Sequence, residues 1–139
     1  MENKKQPDQS TLLKSTSLKK LILVAEDDDF YANIYKVKLT KEGFDVVIAR
    51  DGSEALKSAR FKKPDLVLLD LIMPNKDGFE TLKEIRSDAN LKNIKVIALS
   101  NLGQEEDIKR VRELGANDYI IKTNVPLQEV INKVKEYTN

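Results

Sequence analysis

Cysteine and histidine are both absent from this chain of 139 residues. Without cysteine the chain cannot be a disulfide-stabilised scaffold, and without either residue it cannot carry the usual structural zinc site. The lack of histidine also excludes a Ser-His-Asp triad, a Cys-His nucleophile pair and a phosphohistidine. Any chemistry must therefore depend on carboxylates, lysine, hydroxyl groups or a metal ion held by oxygen ligands.

A strong net charge and long apolar runs are also missing. The chain has 24 Lys plus Arg against 23 Asp plus Glu. Five lysines make residues 1–20 basic, but neither part of the chain has the positive charge of a nucleic-acid-binding surface. The longest apolar runs have four or five residues, whereas a membrane-spanning helix needs about 20. We therefore expect a cytoplasmic protein with no membrane insertion and no direct nucleic-acid partner.

The pattern of the chain changes at residue 19. Residues 1–18 are polar and show no apolar periodicity, which predicts a disordered tail. The sequence assigns no function to this tail. From residue 19 to 139, short continuous apolar runs alternate with amphipathic helical segments. The runs are residues 21–25, 46–49, 66–69, 96–99 and 119–121. This alternation predicts one α/β domain with a doubly wound, five-stranded parallel sheet and helices on both faces.

Helix boundaries carry their own signals. Residues 51–54 and 77–80 each have Asp followed three positions later by Glu, a pattern that resembles a capping box. Pro126 suits the first turn of the last helix. Gly43 and Gly115 follow predicted helices at positions where a left-handed cap is favoured.

The residues that follow the predicted strands carry the candidate chemistry. In an open parallel sheet, ligands bind beyond the carboxyl ends of the strands. Polar groups suited to such a site follow four of the five runs: Glu26 and Asp27, Asp70, Ser100, and Lys122. Helix capping accounts for Asp28 or Asp29, the two acids that come next in the chain, but not for Glu26 and Asp27.

These groups together predict a phosphoryl site. The carboxylates of Glu26, Asp27 and Asp70 would repel one another unless a cation lies between them, and oxygen ligands favour Mg²⁺. Lys122 alone would be read as a surface charge, and Ser100 alone as a turn residue. On the same edge as the acids, Lys122 can neutralise a transferred phosphoryl group and Ser100 can donate a hydrogen bond to it.

Four segments at the strand ends carry a family resemblance. They are LVAEDD at 23–28, LLDLIMP at 68–74 followed by Asp77-Gly78, IALS at 97–100, and YIIK at 119–122. In this order and spacing they resemble the receiver domain of bacterial two-component response regulators, particularly single-domain regulators of the chemotaxis type. The resemblance covers about residues 19–137. It implies a flavodoxin-like (βα)5 fold with strand order 2-1-3-4-5.

The resemblance also implies the roles of individual residues at the site. Asp70 resembles the phosphoacceptor and Lys122 the lysine that pairs with the phosphoryl group. Asp27 resembles the direct Mg²⁺ ligand and Glu26 an acid that acts largely through water. The backbone carbonyl of Ile72 would be a further ligand.

A switch and a set of partners are implied as well. Ser100 resembles the switch hydroxyl, and Tyr119 the aromatic residue that changes rotamer with it. The donor would be a sensor histidine kinase or a histidine phosphotransfer protein, which fits the absence of histidine here. The fourth helix, fifth strand and fifth helix would form the surface that binds an effector protein. The protein would be a monomer or a phosphorylation-dependent dimer, and not an enzyme beyond assisting reactions at its own Asp70.

Three residues depart from the family pattern. Glu26 stands where Asp is commoner, and Thr123 stands where the family usually has a proline after a cis bond. Asn101 stands where a small residue is usual. It would narrow access to Asp70. Ile72 and Leu102 would border the same entrance and offer no polar group that orients a water molecule. We therefore expect a long-lived phosphorylated form.

Two other functions fit parts of this pattern. A haloacid-dehalogenase-type phosphatase also phosphorylates an Asp after a strand, but it needs a second Asp where this chain has Ile72. A degenerate receiver that acts as a constitutive protein-interaction module is the stronger alternative, because of the departures at Asn101 and Thr123. Whether an output domain belongs to the protein is left open by the sequence.

Overall fold

The computed structural model describes residues 19–139, which form a five-stranded parallel sheet flanked by five α-helices. The strands are β1 (Leu21–Ala25), β2 (Asp45–Ala49), β3 (Leu66–Leu69), β4 (Lys95–Ser100) and β5 (Asp118–Ile121). The helices are α1 (Asp29–Lys41), α2 (Gly52–Lys62), α3 (Gly78–Ser87), α4 (Glu105–Glu113) and α5 (Leu127–Thr138). The predicted α/β fold is confirmed, and the predicted tail at 1–18 lies outside the described residues. No helix within residues 19–139 is both long enough and apolar enough to cross a membrane.

The strand order is β2-β1-β3-β4-β5, as the family resemblance implied. Strand β1 lies between β2 and β3, with Ala25 opposite Ala49 on one side and Leu69 on the other. The backbone N–H of Asp70 donates to the carbonyl of Ala25 at 3.0 Å, one position beyond the end of β3. The register therefore places the first residues after β1 and β3 side by side.

The core consists of two apolar clusters, one on each face of the sheet. Leu23 and Leu69 belong to the cluster that α2, α3 and α4 cover, whereas Ile22 and Leu68 belong to the one that α1 and α5 cover. Alternate residues of each strand point to opposite faces. Both faces are buried, which explains why the strands read as continuous apolar runs.

The helix signals act largely as predicted. Asp51 and Asp77 accept hydrogen bonds from the backbone N–H groups three residues later, at the first turns of α2 and α3. Gly43 and Gly115 have positive φ angles of 96° and 107°, which glycine adopts without a steric penalty. Pro126 immediately precedes α5, one position before the first turn in which the sequence placed it.

Helix α4 is less deeply buried than the apolar stripe of Ile108, Val111 and Leu114 in the sequence predicts. Val111 is fully buried, but Ile108 is only partly so, and Leu114 follows the end of the helix. No side chain caps its first turn. The guanidinium of Arg110 lies 4.1 Å from the centre of the Phe79 ring, so a cation–π contact joins α4 to α3. A helix with so few buried apolar contacts is one whose position changes at low energetic cost.

Arg86 ties α3 to the loop before β4 and to the loop before β5. Its guanidinium donates to the backbone carbonyls of Gly115, Lys92 and Ile94, and to the side-chain oxygen of Asn117. That same Asn117 oxygen accepts from the backbone N–H of Val96. One side chain therefore satisfies several polar groups far apart in the chain.

We expect Arg86→Met to lower the free energy of unfolding by about 1–3 kcal/mol, because it leaves these carbonyl groups without a donor. Urea denaturation measures the change. Lys83→Met is the matched control, since Lys83 lies exposed on the same helix. Equal stability of the two variants would contradict the assigned role of Arg86.

Candidate functional site

Three carboxylates meet at the carboxyl edge of the sheet. One oxygen each of Glu26, Asp27 and Asp70 lies within 4.8 Å of the others. Glu26 and Asp70 are 2% and 7% exposed, respectively, whereas Asp27 is exposed to solvent. The pairing of β1 with β3 brings them together, so the convergence predicted from the strand ends is confirmed by the geometry.

Lys122 reaches this cluster from the end of β5. Its ammonium nitrogen lies 2.5 Å from Oε1 of Glu26 and 3.3 Å from Oδ2 of Asp70. Its side chain is only 5% exposed. The bond from Lys122 to Thr123 is trans, as all peptide bonds of residues 19–139 are, and a short 3₁₀ turn over Lys122–Asn124 begins at this lysine. With Thr123 after a trans bond, this turn directs Lys122 to the acids.

Burial sets the electrostatics of the site. It raises the pKa of Glu26 to about 7, and the neighbouring charge of Asp70 adds to the shift. Hydrogen bonds from Lys122 and from the backbone of Asp28 oppose this change only in part. Burial alone would lower the pKa of Lys122, but its hydrogen bond to Glu26 and the charges of both acids raise it above the ordinary value. The lysine therefore stays protonated beside the acids.

The loop between β3 and α3 packs directly against Asp70. The backbone N–H of Ile72 donates to Oδ1 of Asp70 at 3.3 Å, which orients that carboxylate. A Cβ atom on Gly78 would lie 2.3 Å from the carbonyl oxygen of Asp70, so only glycine fits there. The side chain of Ile72 is 59% exposed beside this loop. The close approach explains why Gly78 accompanies the strand-end aspartate.

Ser100 and Tyr119 meet through the peptide groups of Leu102. The Ser100 side chain, 1% exposed, accepts a hydrogen bond from the backbone N–H of Leu102 at 3.4 Å. The hydroxyl of Tyr119 donates to the backbone carbonyl of Leu102. Within residues 19–139, Ser100 makes no side-chain hydrogen bond to Asp70. The two residues are therefore connected to each other through the β4–α4 loop, in which Asn101 is exposed.

Two further side chains lie at the site that the sequence reasoning did not assign to it. The ammonium nitrogen of Lys122 lies over the face of the Tyr31 ring, 4.4 Å from the ring centre. Arg50 forms an ion pair with Asp29 at the rim, between the end of β2 and the start of α1. In the sequence, Tyr31 belongs to an apolar stripe at helical spacing. Its spacing of four residues from Tyr35 was the available signal of an aromatic pair.

The donor set fits a hard divalent cation. The site has three carboxylates, those of Glu26, Asp27 and Asp70. The positive charge beside them is the ammonium group of Lys122. Mg²⁺ binds through one or two carboxylates and retains several water molecules. Two buried acids beside the exposed Asp27 match that preference, because water can reach one side of the cluster.

The sequence profile described as "Response regulator receiver domain" matches residues 22–135. The chain belongs to this family. Receiver domains of response regulators are signalling domains of two-component systems that interact with histidine kinases and effectors. The acidic cluster of this receiver domain is typical of the family's Mg²⁺ site.

Individual relatives agree with the family assignment. The receiver domain is 37% identical over 118 residues to the alkaline phosphatase synthesis transcriptional regulatory protein PhoP of Bacillus subtilis, covering 85% of this chain and 48% of that protein. It is 30% identical to the polar-differentiation response regulator DivK of Brucella anthropi, covering 85% and 95%. Thus the chain spans about half the length of PhoP but nearly all of DivK.

Solved structures support the same fold. The phosphorylated cyanobacterial phytochrome response regulator RcpA has a TM-score of 0.77 and 35% identity, with coverage of 86% of this chain and 94% of that one. A putative response regulator from Chloroflexus aurantiacus has a TM-score of 0.81 and 29% identity, with coverage of 86% and 98%.

We expect Glu26→Gln to stabilise the receiver domain at pH 8 without divalent cations. The pKa of Glu26 rises from 4.5 to about 7 on folding. The folded state therefore binds the proton more tightly, and the stability of the wild type falls as pH rises through that window. Thermal melts should show little difference near pH 5 and about 1–3 kcal/mol in favour of the variant at pH 8.

The control for this experiment is Glu106→Gln, at an exposed position of α4. A stability difference for Glu26→Gln that does not change between pH 5 and pH 8 would contradict the assigned burial of the Glu26 charge.

Proposed function

We propose that this receiver domain is a phosphorylation-dependent switch in which Asp70 accepts a phosphoryl group. The donor is the phosphohistidine of a sensor histidine kinase or of a histidine phosphotransfer protein. The observation that carries this proposal is the position of Lys122, which bridges Glu26 and Asp70 within a cluster of three carboxylates. An ammonium group held beside a nearly buried carboxylate can neutralise charge on a group transferred to it.

The transfer uses groups that are already close together. A carboxylate oxygen of Asp70 attacks the phosphorus atom, a P–O bond forms, and the P–N bond breaks with its electron pair going to the donor imidazole. Lys122 pairs with the phosphoryl oxygens, while the N–H of Ile72 keeps the Asp70 carboxylate oriented. Glu26, Asp27, Asp70 and the Ile72 carbonyl would hold Mg²⁺, which would supply further charge neutralisation of the phosphoryl oxygens when bound.

Ser100 and Tyr119 carry the response away from Asp70. The new dianion draws the Ser100 hydroxyl towards it, and this competes with the hydrogen bond that Ser100 now accepts from Leu102. Because Tyr119 donates to the same residue, its side chain responds together with Ser100. A preference of about 1.4 kcal/mol shifts two conformations tenfold, and the shallow burial of α4 supports a change of that size.

The surface formed by α4, β5 and α5 is the one that such a change alters, and an effector protein binds there. The oligomeric state, monomer or phosphorylation-dependent dimer, and the cytoplasmic location remain predictions. A constitutive interaction module that is never phosphorylated is the outcome that the first experiment below would reveal.

Intact mass after incubation with a small phosphodonor and Mg²⁺ tests the phosphoacceptor. We expect one phosphoryl adduct on the wild type and on Asp45→Asn, whose aspartate is exposed at the start of β2. No adduct is expected on Asp70→Asn, because the amide is not a nucleophile at this position. Absence of an adduct on the wild type would favour the constitutive module, and an adduct on Asp70→Asn would place the phosphoryl group elsewhere.

The phosphorylated form is expected to be long-lived. Asn101 and Ile72 are exposed beside the loops that flank Asp70, and neither Ile72 nor Leu102 has a side-chain group to orient an attacking water. A phosphate-release time course should show slow loss from the wild type and faster loss from Asn101→Ala, with Asn93→Ala as an exposed control. Rapid loss that Asn101→Ala does not change would overturn this expectation.

A further inference from the structure

The ring of Tyr31 lies against the ammonium group of Lys122. Tyr31 lies in the first turns of α1, and its ring centre is 4.4 Å from the Lys122 ammonium nitrogen. The switch described above does not use this residue. The contact is nevertheless specific, because it involves the face of the ring and the charged end of the lysine.

Two carboxylates and the Tyr31 ring surround the ammonium group of Lys122. A lysine ammonium has three N–H donors and no acceptor. Two acceptors are carboxylate oxygens, Oε1 of Glu26 at 2.5 Å and Oδ2 of Asp70 at 3.3 Å. The ring of Tyr31 is the next neighbour, and the partial negative charge of an aromatic face attracts a cation.

Other aromatic residues hold the ring in place. Tyr35, one helical turn later and 4% exposed, stacks on Tyr31 with centroids 6.0 Å apart and an interplanar angle of 22°. Phe30 meets the same ring edge-on at 5.7 Å. The ring is therefore anchored to the core through Tyr35, and it is a fixed surface for Lys122 rather than a mobile one.

A cavity beside Lys122 offers its side chain an alternative position. It lines a cavity of about 200 Å³ between α1 and α5, together with Tyr31, Tyr35, Val125 and Leu127. A lysine side chain has a long flexible stem, so its charged end can leave the carboxylates if nothing opposes that movement. The Tyr31 ring forms part of the wall of this cavity and lies next to the ammonium.

We propose that Tyr31 is a positioning residue for Lys122, whose aromatic face keeps the ammonium directed at Asp70. The inference rests on the proposed function, because its consequence is the rate at which Asp70 accepts a phosphoryl group. It requires the ring and not the hydroxyl. A phenylalanine at position 31 should therefore preserve the positioning of Lys122. A leucine should not, although both side chains fill the space with apolar atoms.

Phosphorylation rates test the consequence. With a small phosphodonor and Mg²⁺ in excess, Tyr31→Leu should accept the phosphoryl group about three- to tenfold more slowly than the wild type. Tyr31→Phe should stay within about twofold of the wild type. Phe61→Leu is the matched control, because Phe61 is 82% exposed on α2, away from Lys122. Thermal melts confirm that each variant is folded at the assay temperature.

A second measurement needs no phosphodonor. In NMR spectra, the ε-methylene protons of Lys122 should be shifted upfield by the ring current in the wild type and in Tyr31→Phe. They should return towards the ordinary lysine position in Tyr31→Leu. If the wild type forms no phosphoryl adduct, the proposed function fails while this measurement still decides whether Tyr31 holds Lys122. Equal phosphorylation rates for the leucine and phenylalanine variants, or an unshifted Lys122 in the wild type, would overturn the inference.

Discussion

The ammonium group of Lys122 lies between two buried carboxylates, Glu26 at 2.5 Å and Asp70 at 3.3 Å. Two negative charges at this depth would repel each other strongly without a cation. The lysine keeps the acids together, and the raised pKa of Glu26 shows that it offsets the burial cost only in part. The site is therefore built around excess negative charge, which is the condition that favours a divalent cation.

The sheet makes this arrangement possible. Its strands are apolar on both faces, so polar groups can reach solvent only at the edges of the sheet. Parallel strands end at one common edge, and the pairing of Ala25 with Leu69 places Glu26 next to Asp70. The helices on both faces then exclude water from all but the outer side of the cluster, where Asp27 is exposed. The same packing leaves α4 shallowly buried, with Val111 as its one fully buried side chain.

Much of the fold and of the site was predictable, because each depends on patterns within short segments. Apolar runs marked the strands, and the residues after them named Glu26, Asp70 and Lys122. The preference of Lys122 for Glu26, a residue 96 positions away, was not predictable. Neither was the junction at Leu102 that connects Ser100 with Tyr119. Such contacts depend on loop paths and rotamers, which no local periodicity encodes.

By itself, the sequence determined the alternation of strands and helices, the membership of the acidic edge, and the exclusion of histidine chemistry from this chain. It did so because hydrophobic periodicity and residue chemistry are local properties. Only the tertiary structure decided which acid the lysine pairs with, how deeply each carboxylate is buried, and that the Tyr31 ring covers the ammonium. These features arise when α1, β1, β3 and β5 pack together, since burial and distance are properties of the assembled fold.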